Sequence, residues 1–303
     1  MFWLLFPLFC IFVNAEECGI SPSLEKYFYL NLINGNSVES SDRKYLYLNL
    51  INGDSVESSD RILGGSRSEN GDWPWAVHIF PVGCSGSIIG DRWVLSAAHC
   101  VVSDVIDGVR EANTIGVGNV YDGEQRVYSI KERFVYPHYS FIDHQKDALL
   151  LKINGKFDFG KNVSKLCLGR KIDAMEGESA VAAGWGNKYI YQTGEEPYSE
   201  PVEYLHEGLV PILNNDICFE HQQNETSKIC GGSLMHGTTP GDSGGPLMVI
   251  RNNKWYSLGI TSSGDLKPLD EITWKDHGEY AQTSYFCDWI QKITNSEVVC
   301  EDV

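Results

Sequence analysis

A serine in a glycine-rich segment is the residue whose setting most clearly favours chemistry. Ser243 lies in the segment 240–246, which reads PGDSGGP. Glycines on both sides of a serine allow backbone N–H groups to approach a bound carbonyl group closely. The hydroxyl group can then attack the carbonyl carbon, while nearby amides hold the negative oxygen that forms. A glycine-rich segment by itself is also consistent with an ordinary turn.

Two further residues would complete a nucleophilic site. His99 follows small residues at the end of an apolar stretch, in the segment 96–100, SAAHC. It is a candidate general base, although a buried structural histidine or a metal ligand would fit the same pattern. Asp147 directly precedes the apolar run 148–151, where an unpaired carboxylate would be costly. A histidine N–H would pair with it and fix the tautomer of the base, whereas an isolated aspartate there would be a turn residue.

The elements that must position these residues are predicted to be short strands. Stretches rich in Val, Ile, Tyr and Trp alternate with turn residues, and they are 75–80, 93–96, 127–130, 149–153, 179–183 and 255–261. This pattern is typical of an all-β sandwich or barrel. Helical spacing of apolar residues is found at 285–294, where Phe286, Trp289, Ile290 and Ile293 would share one face. The sequence therefore predicts an all-β fold with a C-terminal helix.

The N-terminal region differs from the rest of the chain. The apolar run 2–13 is too short to span a bilayer, and small residues precede position 16, so residues 1–15 are predicted to be a signal peptide. A buried strand is the alternative. Residues 26–43 and 44–61 are tandem 18-residue copies that differ at two positions. We interpret 16–61 as a pro-segment and 62–303 as the main domain, with a small packed hairpin as the alternative for the repeat.

Composition narrows the classes of partner and site. The net charge of −17 argues against a nucleic-acid-binding protein, and no later apolar run is long enough for a membrane span. Of the nine cysteines, Cys10 lies in the predicted signal peptide, and an even number remains, as expected for disulfides in a secreted protein. Spacing alone does not assign the pairs, and no CxxC motif suggests a metal. Asn162 and Asn224 begin glycosylation sequons.

Taken together, these motifs resemble those of the chymotrypsin-like (trypsin-fold) serine proteases over residues 62–293. The resemblance is supported by five further segments, which are 61–65 (RILGG), 73–75 (WPW), 136–139 (YPHY), 184–186 (GWG) and 210–212 (VPI). It implies two antiparallel six-stranded β-barrels, divided between Lys165 and Cys167, with the site in the cleft between them. It also implies a secreted serine endopeptidase that acts on protein or peptide substrates without a cofactor, with His99, Asp147 and Ser243 as the triad.

The resemblance also assigns an oxyanion hole and an activation site. Gly241 and Ser243 would supply the N–H groups that hold the oxyanion. Cleavage between Arg61 and Ile62 would free an ammonium group that pairs with Asp242. Because Arg43 has the same SSDR context but is followed by Lys-Tyr-Leu, a cut there should not activate the enzyme. A separate trypsin-like protease is the expected activator, and protein inhibitors are further candidate partners.

The primary substrate pocket is implied to be open and uncharged. Gly237 would lie at its base, with Ser262, Gly264 and Gly278 on its walls. Such a pocket favours large apolar side chains. The long stretch 265–277 blurs the alignment, however, and Asp265, Asp270 or Asp276 could reach the pocket.

The resemblance further implies disulfide pairs Cys84–Cys100 and Cys218–Cys230, and a pair Cys18–Cys167 that tethers the pro-segment, which leaves Cys287 with Cys300. The chain departs from the family pattern in several places, where Ser85 replaces a glycine, Thr239 a cysteine, Ser263 a tryptophan, and Ala148 and Leu149 the usual Ile-Ala.

Two other readings stay open. One is a non-catalytic homologue that acts as a binding protein, and the other is a disulfide-rich structural module. A calcium site at Asp122 and Glu124 is also conceivable, although a solvated acidic loop is the simpler interpretation.

Overall fold

The computed structural model describes residues 17–27, 62–103, 108–109, 111–190, 196, 198–219, 227–269 and 274–303. The predicted signal peptide, residues 28–61 of the repeat region including Arg61, the Asn224 sequon and Asp270 lie outside the described residues. Within the described ranges, none of the helices combines the length and apolarity required to cross a membrane.

The first half of the domain is a closed barrel. The strands of this half are β1 (Ser66–Arg67), β2 (Ala76–Phe80), β3 (Cys84–Gly90), β4 (Trp93–Ser96), β5 (Val102–Ser103), β6 (Gly108–Val109), β7 (Thr114–Val117), β8 (Arg126–Val135) and β9 (Leu149–Ile153). Six of them close the barrel in the order β2-β3-β4-β9-β8-β7. The central strands β3 and β4 are buried along their whole length, whereas β8 alternates between exposed and half-buried residues. This arrangement confirms the six-stranded barrel predicted for the first half.

The second half is built on an eight-stranded sheet. Its strands are β10 (Cys167–Leu168), β11 (Ser179–Gly184), β12 (Lys188–Ile190), β13 (Tyr198–Glu200), β14 (His206–Pro211), β15 (Lys228–Gly231), β16 (Pro246–Arg251), β17 (Lys254–Gly264), β18 (Lys267–Pro268), β19 (Trp274–Lys275) and β20 (Gly278–Gln282). The main path runs β1-β14-β11-β16-β17-β20-β15, with β10 on β17, while β12-β13 and β18-β19 form separate pairs. The ends of β14 and β15 meet where the N–H of Gly232 donates to the carbonyl of Pro211 (2.9 Å) and the N–H of Leu213 donates to the carbonyl of Cys230 (2.9 Å). These irregular bonds bring β14 and β15 together, so six strands of the sheet curl into a second barrel.

The helices of the described residues are short and lie at the periphery. They are α1 (Ser23–Lys26), α2 (Asn215–Cys218) and α3 (Cys287–Ile293). The predicted C-terminal helix begins later than its apolar spacing suggested, because Thr283–Phe286 forms a 3-10 turn before α3. Phe286 is completely buried and packs on Tyr136 of the first half with ring centroids 5.1 Å apart. The 3-10 turn that leads into α3 therefore connects the C-terminal segment to the first half.

Four disulfides fix the ends of the loops. The pairs are Cys18–Cys167, Cys84–Cys100, Cys218–Cys230 and Cys287–Cys300, as the resemblance implied. Cys84–Cys100 joins the start of β3 to the turn that carries His99, so it contributes directly to positioning the site.

Residues 17–27, here called the leader segment, dock onto the main domain. Tyr27 is buried, and its ring lies 5.8 Å from each of the rings of Trp73 and Trp255. Its hydroxyl donates to the buried carboxylate of Glu207 (2.7 Å), with which Lys26 forms an ion pair. Burial of an aromatic side chain of this size is worth about 1.5–3 kcal/mol. The leader segment is thus held by packing as well as by the Cys18–Cys167 bond.

Candidate active site

His99 and Asp147 meet at the end of the first barrel. His99 lies in a 3-10 turn directly after β4, and Asp147 lies just before β9, the neighbour of β4 in the barrel. The Nδ1 atom of His99 is 2.6 Å from Oδ2 of Asp147, and the backbone N–H of His99 donates to Oδ1 (3.0 Å). Both carboxylate oxygens therefore face the histidine, which fixes the orientation of the ring and leaves its Nε2 atom for another partner.

The second barrel contributes a further hydrogen bond to Asp147. The hydroxyl of Ser262 in β17 donates to Oδ2 (2.6 Å). Burial by itself would raise the pKa of Asp147, but the hydrogen bonds and charge of His99 and the bond from Ser262 outweigh burial and hold the pKa below its usual value. The carboxylate is completely buried and stays ionised because these donors replace water. Ser262 was predicted only as a residue of the pocket wall, and no sequence signal indicated its contact with Asp147.

Ser243 lies in the turn before β16, and its backbone contacts the first barrel. Its carbonyl oxygen accepts from the backbone N–H of Ser85 (2.8 Å) and lies 3.7 Å from Sγ of Cys100, the residue after His99. Ser243 is half-buried, as a reactive group at the wall of a cleft would be. The structure thus brings the segments of all three predicted triad residues together at the junction of the barrels.

The peptide bond before Gly241 is oriented by the segment 185–187. The carbonyl oxygen of Pro240 accepts from the N–H of Asn187 (2.7 Å). In a trans peptide the next N–H points the opposite way, so the Gly241 amide is directed away from Asn187. Gly241 has φ +104°, a conformation that favours glycine. The orientation of the Gly241 amide is therefore set by the bond from Asn187 and by a backbone conformation that glycine adopts readily.

Asp242 is a buried carboxyl group whose described partners are backbone amides and one hydroxyl group. It accepts from the N–H groups of Gly186 (2.8 Å) and Thr239 (2.8 Å), and burial raises its pKa to about 6. No ion pair between described residues includes Asp242. Ile62 is completely buried in the core of the second barrel, and the N–H of Leu63 donates to Gly237 (3.1 Å). The side chain that would follow the activation cut is already docked in this structure.

The residues predicted for the primary pocket lie near one another, and an acidic side chain lies among them. Gly264 pairs with Gly278 across β17 and β20, and both Gly264 and Gly237 lie close to the carboxyl group of Asp276. The carboxyl group of Asp276 occupies the space where a side chain on Gly237 would be, and its Oδ2 accepts from the N–H of Thr238 (3.2 Å). A carboxyl group therefore lies beside the residue predicted as the base of the pocket. Of the three aspartates that could reach the pocket, Asp276 does so, whereas Asp265 is exposed and pairs with Lys267.

Two departures from the family pattern have structural partners. The hydroxyl of Ser85 donates to the carbonyl of Gly241 (3.0 Å), so Ser85 contacts both Gly241 and Ser243. Thr239, at the place of a cysteine, contacts Asp242 through its hydroxyl (3.3 Å) and donates to the carbonyl of Asn187 (2.9 Å). The sequence showed that these residues were unusual, but only the structure shows what they hold.

Two other positions were also considered from the sequence. Ser263, at the place of a tryptophan, donates to Glu279 (3.1 Å). Glu279 also pairs with Lys228 (2.9 Å), so the surroundings of Ser263 are polar.

In the loop considered for calcium, the side-chain amide of Asn119 donates to Glu124 (3.2 Å). Asn162, which begins the described sequon, is half-buried.

Comparison with known proteins agrees with this geometry. Residues 62–290 match the model of the Trypsin family. The chain is also 30% identical over 225 residues to serine protease 28 of Mus musculus, a match that covers 67% of this chain and 80% of that protein.

Proposed function

Because the chain belongs to the trypsin family of serine proteases, we propose that it is an active endopeptidase with His99, Asp147 and Ser243 as its catalytic triad. The observation that carries the proposal is the carboxylate of Asp147, which accepts from the ring and backbone of His99 and from Ser262. A structural aspartate would need a partner for its charge but would not need to align an imidazole beside a serine turn.

The proposed reaction proceeds through an acyl-enzyme. His99 takes the hydroxyl proton of Ser243 through Nε2 while the serine oxygen attacks the peptide carbonyl carbon. The N–H groups of Gly241 and Ser243 hold the oxyanion, and each such donor is worth about 2.7–4 kcal/mol. His99 then gives its proton to the leaving amine, and a water molecule releases the acyl group by the same steps in reverse order. Asp147 stabilises the imidazolium that forms at each stage.

We further propose that the enzyme is secreted as a zymogen. Residues 1–15 would direct secretion, 16–61 would form the pro-segment, and sequons at Asn162 and Asn224 would carry glycans. Four disulfides are consistent with an oxidising compartment. Cleavage after Arg61 would create an ammonium group at Ile62, and Asp242 is a buried carboxyl group without a cation among the described residues. Their ion pair would hold the Gly241 amide in place.

Labelling of Ser243 tests the triad. After cleavage with trypsin, a small fluorophosphonate that does not depend on the substrate pocket should attach to Ser243, as identified by peptide mass. The Ser243→Ala variant should not be labelled, and His99→Ala should slow labelling strongly. Absence of labelling in the cleaved wild-type protein, with its disulfides intact, would contradict the proposal.

The alternative is a binding protein on the same scaffold. Loss of a triad residue would favour that alternative, but all three residues are present here and His99 and Asp147 are bonded. The glycine-lined pocket by itself would suit large apolar side chains, and Asp276 changes that expectation.

A further inference from the structure

The carboxyl group of Asp276 lies beside Gly237, the residue predicted as the base of the primary pocket. A Cβ atom added to Gly237 would overlap this carboxyl group, and one added to Gly264 would lie 3.2 Å from Oδ1. These two glycines were predicted as the base and one wall of the pocket. Asp276 reaches this place from the strand-like segment before β20, where its own N–H donates to Ser233 (3.1 Å). The absence of a side chain at Gly237 is what makes room for the acid.

Within the described part of the chain, this carboxyl group lacks a cation. Asp276 is 1% exposed, and none of the ion pairs between described residues includes it. Burial raises its pKa to about 7, partly offset by the Thr238 amide and reinforced by the charges of Asp242 and Asp265. A buried carboxylate without a partner is strongly disfavoured. A cation that entered from the cleft would therefore stabilise this group.

We propose that Asp276 makes the primary pocket selective for substrates with Lys or Arg before the scissile bond. The inference rests on the proposed protease function and deepens it. Both side chains combine an apolar stem, which the glycine walls can accommodate, with a terminal cation that the carboxylate can bind. The acid is supplied by the wall that leads into β20, while the usual base position is a glycine.

The same pocket chemistry bears on activation. The residue before the activation cut is Arg61, which belongs to the proposed substrate class. A separate activator was expected because the pocket was taken to be uncharged. With Asp276 at the base, the mature enzyme can recognise its own precursor, so a second protease is not required by specificity.

Paired peptide substrates test the proposal directly. Four peptides that differ only before the scissile bond, with Arg, Lys, Phe or Leu, are offered to the activated enzyme. Wild-type kcat/KM should be at least about tenfold higher for Arg and Lys. Asp276→Asn should lower it for these two by about 10²-fold, as expected for loss of one partner of a buried ion pair, and leave Phe nearly unchanged. The matched control Asp265→Asn removes an exposed carboxylate nearby and should have little effect.

A binding measurement keeps the test independent of catalysis and of the folding of the Asp276 variant. The cleaved Ser243→Ala protein should bind benzamidinium, a flat cation, but not the neutral benzamide, as measured by calorimetry. Equal binding of the two, a wild-type preference for Phe or Leu, or an Arg preference that survives Asp276→Asn would overturn the inference. If the enzyme is labelled by fluorophosphonate but prefers Phe, only this inference fails. If Ser243 is never labelled, the proposed function fails instead.

Discussion

Asp147 and Asp276 are both buried carboxyl groups, but their surroundings have opposite effects on them. Asp147, between the barrels, receives hydrogen bonds from the ring and backbone of His99 and from Ser262, and its pKa is lowered. Asp276, in the pocket, receives one described amide bond, and its pKa is raised to about 7. The partners of Asp147 are all side chains and amides of the folded domain. Asp276 and Asp242 lack a cation among the described residues, and we propose that the substrate supplies it for Asp276 and the new N-terminus for Asp242.

The largest expected effect on activity comes from replacing Asp147. Asp147→Asn should lower kcat by about 10⁴-fold, the size known for this substitution in a Ser-His-Asp triad, because the amide favours the wrong tautomer of His99. The effect is measured by steady-state kinetics. KM should change little, because the substitution leaves the substrate pocket unchanged. A loss smaller than tenfold would mean that Asp147 is only structural.

The next largest expected effect is on activation, which we propose supplies a cation to Asp242. Arg61→Gln should prevent activation by trypsin and leave activity roughly 10²- to 10³-fold below that of the activated enzyme, the range for loss of one oxyanion donor. The matched variant Arg43→Gln, altered in the same SSDR context, should be activated normally. Activity and the N-terminal sequence of the product are measured together. Full activity of Arg61→Gln without an Ile62 terminus would contradict the switch.

A smaller effect should appear in the pH dependence of specificity. Because Asp276 gains its charge as the pH rises through about 7, the ratio of kcat/KM for Arg over Phe should increase about tenfold between pH 6 and pH 8. The ratio cancels ionisations that act on both substrates, including those of the catalytic groups. Asp242, Asp265 and Tyr280 also lie near this carboxyl group, and Asp265→Asn should shift the midpoint slightly downward. A ratio that does not change with pH would contradict the comparison.

The smallest effect is expected at the oxyanion loop. Ser85→Ala removes the hydrogen bond to the Gly241 carbonyl and should lower kcat roughly two- to tenfold with little change in KM. Ser87→Ala, two residues away on the same face of β3, is the control and should affect stability alone. An equal loss in both variants would mean that Ser85 has no role in positioning Gly241.

How much of the fold and the site could be predicted from the sequence depends on how far apart along the chain the interacting residues are. The strand pattern, the helix and the triad motifs are local signals, and the resemblance supplied the barrels and the four disulfides. The contacts of Ser85 and Ser262 join residues that are 156 and 115 positions from their partners, so no local pattern reveals them. Asp276 was only one of three candidates, because the path of the stretch 265–277 decides which acid reaches Gly237.

The tether of the leader segment has a consequence for what activation releases. Cys18 stays bonded to Cys167, and Tyr27 stays buried beside Glu207, on the far side of the proposed cut from Ile62. Cleavage after Arg61 would therefore produce a protein of two disulfide-linked chains, and its mass would increase only by that of one water molecule. Any targeting signal within residues 16–61 would stay attached to the mature enzyme. The enzyme would therefore keep that signal both before and after activation.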